Sequence, residues 1–264
     1  MISRWATLPA ILASLLGCAS TREVEPSGPI ARFGSTPAID GVFENGEWDD
    51  AQIVQVGEDE EFRIKHDGAN LYLAFTQDGG NLYFSKDEGV HILHASAQLG
   101  SAEYTKSGDL SQTLANPFEW QLFGLQDEAI ADIRTITAGY LAENGWVGSI
   151  GPLGNMAQAE WAVSFDWLGI TDISKRFVET PKLYIFLARM RLSPEETEAL
   201  MALPPEERSQ RYPPLYWPAP PIPHDSLNTG RCPEVVTIDT AGWGTIWIDL
   251  EPRSASKPAT RSSS

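Results

Sequence analysis

The chain has 264 residues, 42% of them hydrophobic, and sets 36 acidic against 19 basic side chains for a formal charge of −17. Such an acidic balance excludes nucleic acid as a partner, because that binding is dominated by basic contacts to phosphate. With only two cysteines, Cys18 and Cys232, there is no disulfide framework, and a hydrophobic core must hold the fold.

Residues 1–17 carry one charge, Arg4, ahead of an apolar run from Leu8 to Leu16 broken by Pro9 and Ser14. The run is too short to span a bilayer as a helix and reads as a secretory signal. Its end, Leu15-Leu16-Gly17-Cys18, looks like the bacterial lipobox, in which a small residue precedes a cysteine that is lipidated and becomes the new N-terminus. Acyl chains on Cys18 would fix the protein to a membrane, each buried CH₂ contributing about 0.8 kcal/mol. By the usual sorting rule for such lipoproteins, Ala19 in place of Asp points to an outer membrane where the source has one. Cleavage before Cys18 removes Arg4 and no acid, which takes the charge from −17 to −18. Residues 18–28 are small, polar and Pro-containing, as suits a tether. A single domain is expected over 29–251, and 252–264, without apolar periodicity, reads as a disordered tail.

The folded part opens with "IDGVFENGEW", residues 39–48. Ile39 reads as a strand residue, Asp40-Gly41 as a tight turn with Gly at positive φ, and Asn45-Gly46 as a second turn. A helical turn from Glu47 to Ala51 would place Trp48 and Ala51 on one face. There Trp48 is expected to plug the open end of a sandwich, a burial worth on the order of 3 kcal/mol. "EFRIKHDGANLYLAF" follows as a hairpin: Phe62 and Ile64 alternate with charged residues, Asp67-Gly68 turns, and Leu71, Leu73 and Phe75 alternate again. Further strands are expected at 90–96, 119–124, 132–142, 145–149, 159–164, 182–190 and 244–250. Short strands, frequent Gly and few helical patterns give an all-β fold, an antiparallel β-sandwich. The segment 192–223 departs from this. Ser193, Pro194 and Glu196 form a capping box with Pro at the first helical position, so a short helix is expected, running into a Pro- and aromatic-rich stretch with polyproline geometry. It reads as a helical, Pro-rich insertion between two strands.

Five pieces in order, "PAIDGVFENGEWDDA", "DGANLYLAF", "AEWAVSFDWLGI", "LYIFLARMRL" and "AGWGTIWIDL", resemble the family 9 carbohydrate-binding modules and the DOMON-related domains that share their sandwich. The resemblance covers roughly residues 30–250. It departs at the 192–223 insertion and at Ser164-Phe165, where the family usually has a Pro. It implies a carbohydrate-binding β-sandwich in which two Trp side chains sandwich a terminal sugar and polar groups take its hydroxyls.

Of nine tryptophans, Trp5 leaves with the signal, and Trp48, Trp161, Trp167 and Trp247 fit buried positions. The candidates for stacking are Trp120, Trp146, Trp217 and Trp243. Trp146 follows the Asn144-Gly145 turn and Trp243 stands between two glycines, so both are expected at loop edges, with Tyr216 and Trp217 closing over the sugar and Asn144 and His94 beside it. His91 and His94 are three apart, and on a strand they point to opposite faces, so no metal site is expected there. The acidic clusters Glu58–Glu61 and Asp87-Glu88 offer oxygen donors for a structural Ca²⁺, the default being a solvated acidic loop. No nucleophile elbow, phosphate loop, zinc-protease helix or dinucleotide fingerprint is present, so no enzyme is expected; the 36 acids leave a paired-carboxylate glycoside hydrolase as the open alternative, with no pair singled out. Relatives of this sandwich carry a b-type haem between a Met and a His or Lys, and Met156 or Met190 would be the Met ligand here. The readings are thus a glycan-binding lipoprotein of the cell envelope serving carbohydrate catabolism, a haem-binding electron-transfer domain, or an envelope scaffold with protein partners.

Overall fold

A computed structural model of the chain describes residues 25–56, 60–75, 80–86, 91–96, 100–107, 111–114, 130–150, 158–187, 194–204, 207, 215–218, 235–237 and 240–251. In chain order the described elements are β1 (Ile30–Phe33), β2 (Gln52–Gln55), β3 (Glu61–His66), β4 (Asn70–Phe75), β5 (Gly80–Lys86), β6 (His91–Ser96), β7 (Gly100–Lys106), β8 (Ser111–Leu114), α1 (Ile130–Asn144), β9 (Trp146–Ile150), β10 (Ala159–Ser164), β11 (Phe177–Glu179), β12 (Lys182–Leu187), α2 (Pro194–Met201), β13 (Leu215–Trp217), β14 (Val235–Thr237) and β15 (Trp247–Asp249).

They form two sheets. The first runs β11-β15-β1-β3-β4-β10-β9 with β2 also pairing with β3, and the second runs β13-β12-β5-β6-β7-β8-β14. Alternation along the strands sends Phe62, Ile64, Leu71, Leu73, Phe75 and Trp161 of the first sheet into one cluster with Leu82, Phe84, Leu93, Leu183 and Ile185 of the second. The chain is therefore the two-sheet sandwich that its alternation predicts. Pairing is antiparallel except at β1, which lies parallel to both β15 and β3. The Asp67-Gly68 hairpin forms as read: Gly68 has φ 93°, and Asp67 Oδ1 accepts the amides of Ala69 and Asn70 at 2.9 and 2.8 Å.

Several expectations are corrected. Ile39 lies in no strand; the strand before the first turn is β1. Residues 132–142, expected as a strand, belong to α1. The β-branched residues Ile133, Thr135, Ile136 and Thr137 favour a strand locally, yet Ile133, Thr137, Tyr140 and Leu141 recur at helical spacing. Tyr140 and Leu141 pack on Val147 and Ala162 of the first sheet's outer face, and that need for cover outweighs propensity. Gly145 ends the helix at φ 79°, its amide donating to Leu141 O at 2.8 Å. Trp48 does not plug the open end between the sheets. With Ile39 and Ala51 it covers Tyr72, Ala74 and Val147 on the outer face of the first sheet, because the turn carrying it folds against that face.

The helix expected in the insertion is α2; its proposed capping residue Ser193 lies outside the described residues. Leu215–Trp217, expected to be polyproline, instead adds β13 to the edge of the second sheet beside β12. The expected strands at 90–96, 145–149 and 159–164 correspond to β6, β9 and β10. Residues 119–124 and 188–190 lie outside the described part.

Candidate functional site

The Asp40-Gly41 turn is fastened from beneath by a carboxylate. Glu160, on β10, is wholly buried. Its Oε2 accepts the amides of Asp40 and Gly41 at 3.1 and 2.8 Å, and its Oε1 accepts the Trp48 indole N–H at 2.8 Å. Burial pushes the Glu160 carboxyl up to about 8, against the pull of the Trp48 and Gly41 donors. A perturbed carboxyl often marks chemistry. This one has its donors inside the protein and no exposed surface, so it is a structural tie between the first turn and β10. Beside it Lys65, also fully buried, donates to Asp50 Oδ1 at 3.0 Å, to Ser35 Oγ at 3.1 Å and to the Glu47 carbonyl. Arg134 of α1 reaches across to Asp40 Oδ2 at 2.6 Å and Glu44 Oε1 at 2.5 Å. These contacts set where α1 lies over the sheet.

That placement leaves a cleft of about 610 Å³ between α1, the hairpin turn and the turn after β10. Asp67, Asn70 and Tyr72 enter from the hairpin, Asn144 from the end of α1, and Asp166 and Trp167 from the other side. Tyr72 OH and Thr36 Oγ1 donate to Asp67 Oδ2 at 2.6 and 3.0 Å, and Asn70 Nδ2 donates to Tyr72 OH at 3.2 Å. Burial alone would raise Asp67, but the Tyr72 hydroxyl and the Ala69 and Asn70 amides together hold it below the ordinary carboxylate range. It is an ionised, pre-aligned acceptor. Asp166 and Asn144 are exposed; the Asn144 amide donates to Tyr140 O at 3.1 Å, which directs its own oxygen elsewhere. Trp167 is half-buried. Its indole N–H donates to Glu103 Oε1 at 3.3 Å and the Lys86 ammonium lies 4.1 Å from its ring. Charged and neutral hydrogen-bonding groups thus line one cleft together with the Trp167 side chain.

Of the described residues singled out from the sequence as ligand contacts, only Asn144 lines this cleft. Trp146 does not stand at a loop edge: it is 8% exposed, packs edge-on against Tyr140 at 5.0 Å and belongs to the core between the sheets, because the first position of β9 points inward. Trp217 is likewise turned in by its pairing with Ile185 and meets Phe62 at 5.5 Å. It therefore cannot close over a ligand beside Tyr216. Trp243 and Tyr216 do come together, on the outer face of the second sheet, where they stack against Tyr184 at 5.7 and 5.8 Å. Trp243 is 6% exposed, so its ring is buried rather than free at an edge. His94 sits opposite Tyr83 in the β5–β6 pair. Trp120, Cys18, Met156, Met190, Glu58, Asp87 and Glu88 lie outside the described residues. Among the described residues no three His, Cys, Asp or Glu side chains gather as a metal site. The sequence reading missed Asp67, Asn70, Tyr72, Asp166 and Trp167. The available signal was the polar cluster at the hairpin turn and the Phe165-Asp166-Trp167 turn after a strand.

No protein-family model matches the chain, and no curated protein does. Among solved structures it is similar to a carbohydrate binding module family 9 from Caldicellulosiruptor kristjanssonii in complex with cellotriose, at 11% identity and a TM-score of 0.38, over 87% of this chain and 97% of that one. The structure of such a module from the same organism with glucose is similar at 10% identity and a TM-score of 0.36, over 87% and 98% of the two chains.

Proposed function

We propose that this protein is a non-catalytic, lipid-anchored glycan-binding protein of the bacterial cell envelope, held in the outer membrane through Cys18 and gathering sugar for catabolism. The ordered motifs that resemble family 9 carbohydrate-binding modules support this reading. The observation that carries it is the cleft beneath α1, where the exposed Asn144 and Asp166 and the fixed carboxylate of Asp67 converge beside the half-buried Trp167. Its volume lies in the range of small-ligand sites. Pyranose faces present C–H groups that lie against an indole, while planar amides and carboxylates hydrogen-bond vicinal hydroxyls. In this mechanism Trp167 supplies the apolar wall, and Asp166 and the Asn144 oxygen accept from hydroxyls. Asp67, already accepting from Tyr72 and Thr36, keeps Asn70 and Tyr72 in place.

The test is calorimetric titration of the intact protein with mono- and oligosaccharides, glucose and cellotriose among them, alongside the double variant Asn144→Ala/Asp166→Ala. Both side chains are exposed, so the fold survives and a change in affinity reports the cleft. Loss of two sugar-directed hydrogen bonds is expected to weaken binding about tenfold or more. Unaltered affinity would remove the cleft from the mechanism, and absence of binding to every sugar tried would end the reading.

A further inference from the structure

We infer that the glycan cleft is acid-sensitive: protonation of the buried His66 takes away the acceptor of the Gly68 amide and releases the turn that presents Asp67 and Asn70. The inference rests on the glycan-binding reading above and concerns the regulation of that same site.

His66 ends β3 and is wholly buried. Both of its ring nitrogens are committed. Nδ1 accepts the Gly68 amide at 3.1 Å, and Nε2 lies 2.8 Å from the Asp249 carbonyl oxygen. An amide N–H only donates and a carbonyl only accepts, so the ring is neutral with its proton on Nε2. A second proton has one place to go, Nδ1, where it would face another N–H. The imidazolium and the Gly68 bond are therefore mutually exclusive.

That bond bears on both walls of the cleft. Gly68, at φ 93°, forms the corner of the turn from which Asp67, Asn70 and Tyr72 enter. On the other side the Phe165 ring lies 5.7 Å from the imidazole, and the Phe165 amide donates to the Ala69 carbonyl of the same turn at 2.8 Å. Asp166 and Trp167 follow directly in the chain. Release of the turn thus disturbs both sets of cleft residues. Gly68 and Ala69 are exposed, so water takes up the freed amide and the opening stays local, with β3 and β4 still paired.

The surroundings set when the proton arrives. β1 and the turn after β10 present Phe33 and Phe165 to the ring, and β4 sets Leu71 opposite His66. Arg32 and Lys65, each one position earlier in its strand, point to the other face. The carboxylates that favour an imidazolium are Asp67 and Asp249, the second of them 3.6 Å from Arg176. Burial outweighs them and the Asp249 carbonyl, and holds His66 below its ordinary 6.5. What the neutral ring contributes is therefore present above that value and lost as pH falls through the lower, folded one.

The experiment measures the affinity of the intact protein for glucose and cellotriose by calorimetry from about pH 7 to about pH 5, alongside His66→Asn, whose Oδ1 can accept from Gly68 without titrating. The parent is expected to lose about fivefold or more in affinity over that interval and the variant about twofold or less. Carboxylates that titrate there, Glu160 among them, are common to both proteins, so the difference reports His66. NMR of the unaltered protein gives a reading that needs no substitution and decides the matter if His66→Asn does not fold: the His66 ring and the Gly68 amide proton should titrate together below about pH 6.5. An imidazole that stays neutral to about pH 5, or a Gly68 amide that does not move with it, overturns the inference. So does a parent affinity that is flat, or that falls equally in His66→Asn; all of these leave the glycan reading standing. Failure of both sugars to bind at any pH overturns that reading and this inference with it.

Discussion

Replacing Glu160 by Ala tests whether the buried carboxylate is what ties the first turn to the sandwich. The change leaves three donors, the amides of Asp40 and Gly41 and the Trp48 indole N–H, without the acceptor they now share. Each buried donor so orphaned costs about 1–3 kcal/mol, offset in part by settling of Trp48, so a net loss of about 3–5 kcal/mol is expected at mildly acidic pH. For a domain of this size that lowers the melting temperature by about 10 °C. The pH dependence supplies a second, independent reading. Folding raises Glu160 from an ordinary 4.5 to about 8, so the native state binds more protons than the unfolded chain across that interval. Its contribution to stability is complete below the unfolded value and is lost as pH rises through the folded one. Between about pH 5 and pH 8 the loss is on the order of 3 kcal/mol. The variant lacks this slope, and the gap between the two proteins should narrow as pH rises. Urea denaturation followed by tryptophan fluorescence at several pH values measures both quantities. A variant within about 1 kcal/mol of the parent at pH 5, or a gap that stays constant with pH, would refute the tie.

Trp146→Ala should cost about 3–5 kcal/mol in a urea melt, because a large side chain leaves the core between the sheets; a folded, fully stable variant that has lost only sugar binding would restore Trp146 to the site. Lys65→Met should cost about 2–4 kcal/mol, since Asp50 loses its buried partner. Burial alone would raise Asp50, but the Ser35 amide and Lys65 hold it below its ordinary value. Its stabilising contribution is present above the unfolded value and lost as pH falls, so thermal melts of Lys65→Met below about pH 5 should show a weaker acid-induced fall than the parent. An unchanged acid limb would discard that account.

What the sequence by itself determined is local. Phe62 and Ile64 before Asp67-Gly68, and Leu71, Leu73 and Phe75 after it, fix two strands, their turn and the face each presents to the core, because a strand's period of two and a turn's need for positive φ are properties of neighbouring residues. Pro194 and Glu196 likewise mark the start of α2. Among the described residues, the site was legible only at Asn144. Which tryptophans are buried depends on pairing: Trp217 faces the core because it sits opposite Ile185, and nothing in "PPLYWP" says so. The same holds for α1, whose residues favour a strand until the sheet's outer face requires a cover, and for Glu160, a charged residue in a strand until its three donors arrive from a turn more than a hundred positions earlier. Tertiary structure decided these points because burial is a property of what packs against a residue, and in this sandwich the partners come from distant parts of the chain, as when Ile30 lies beside Trp247.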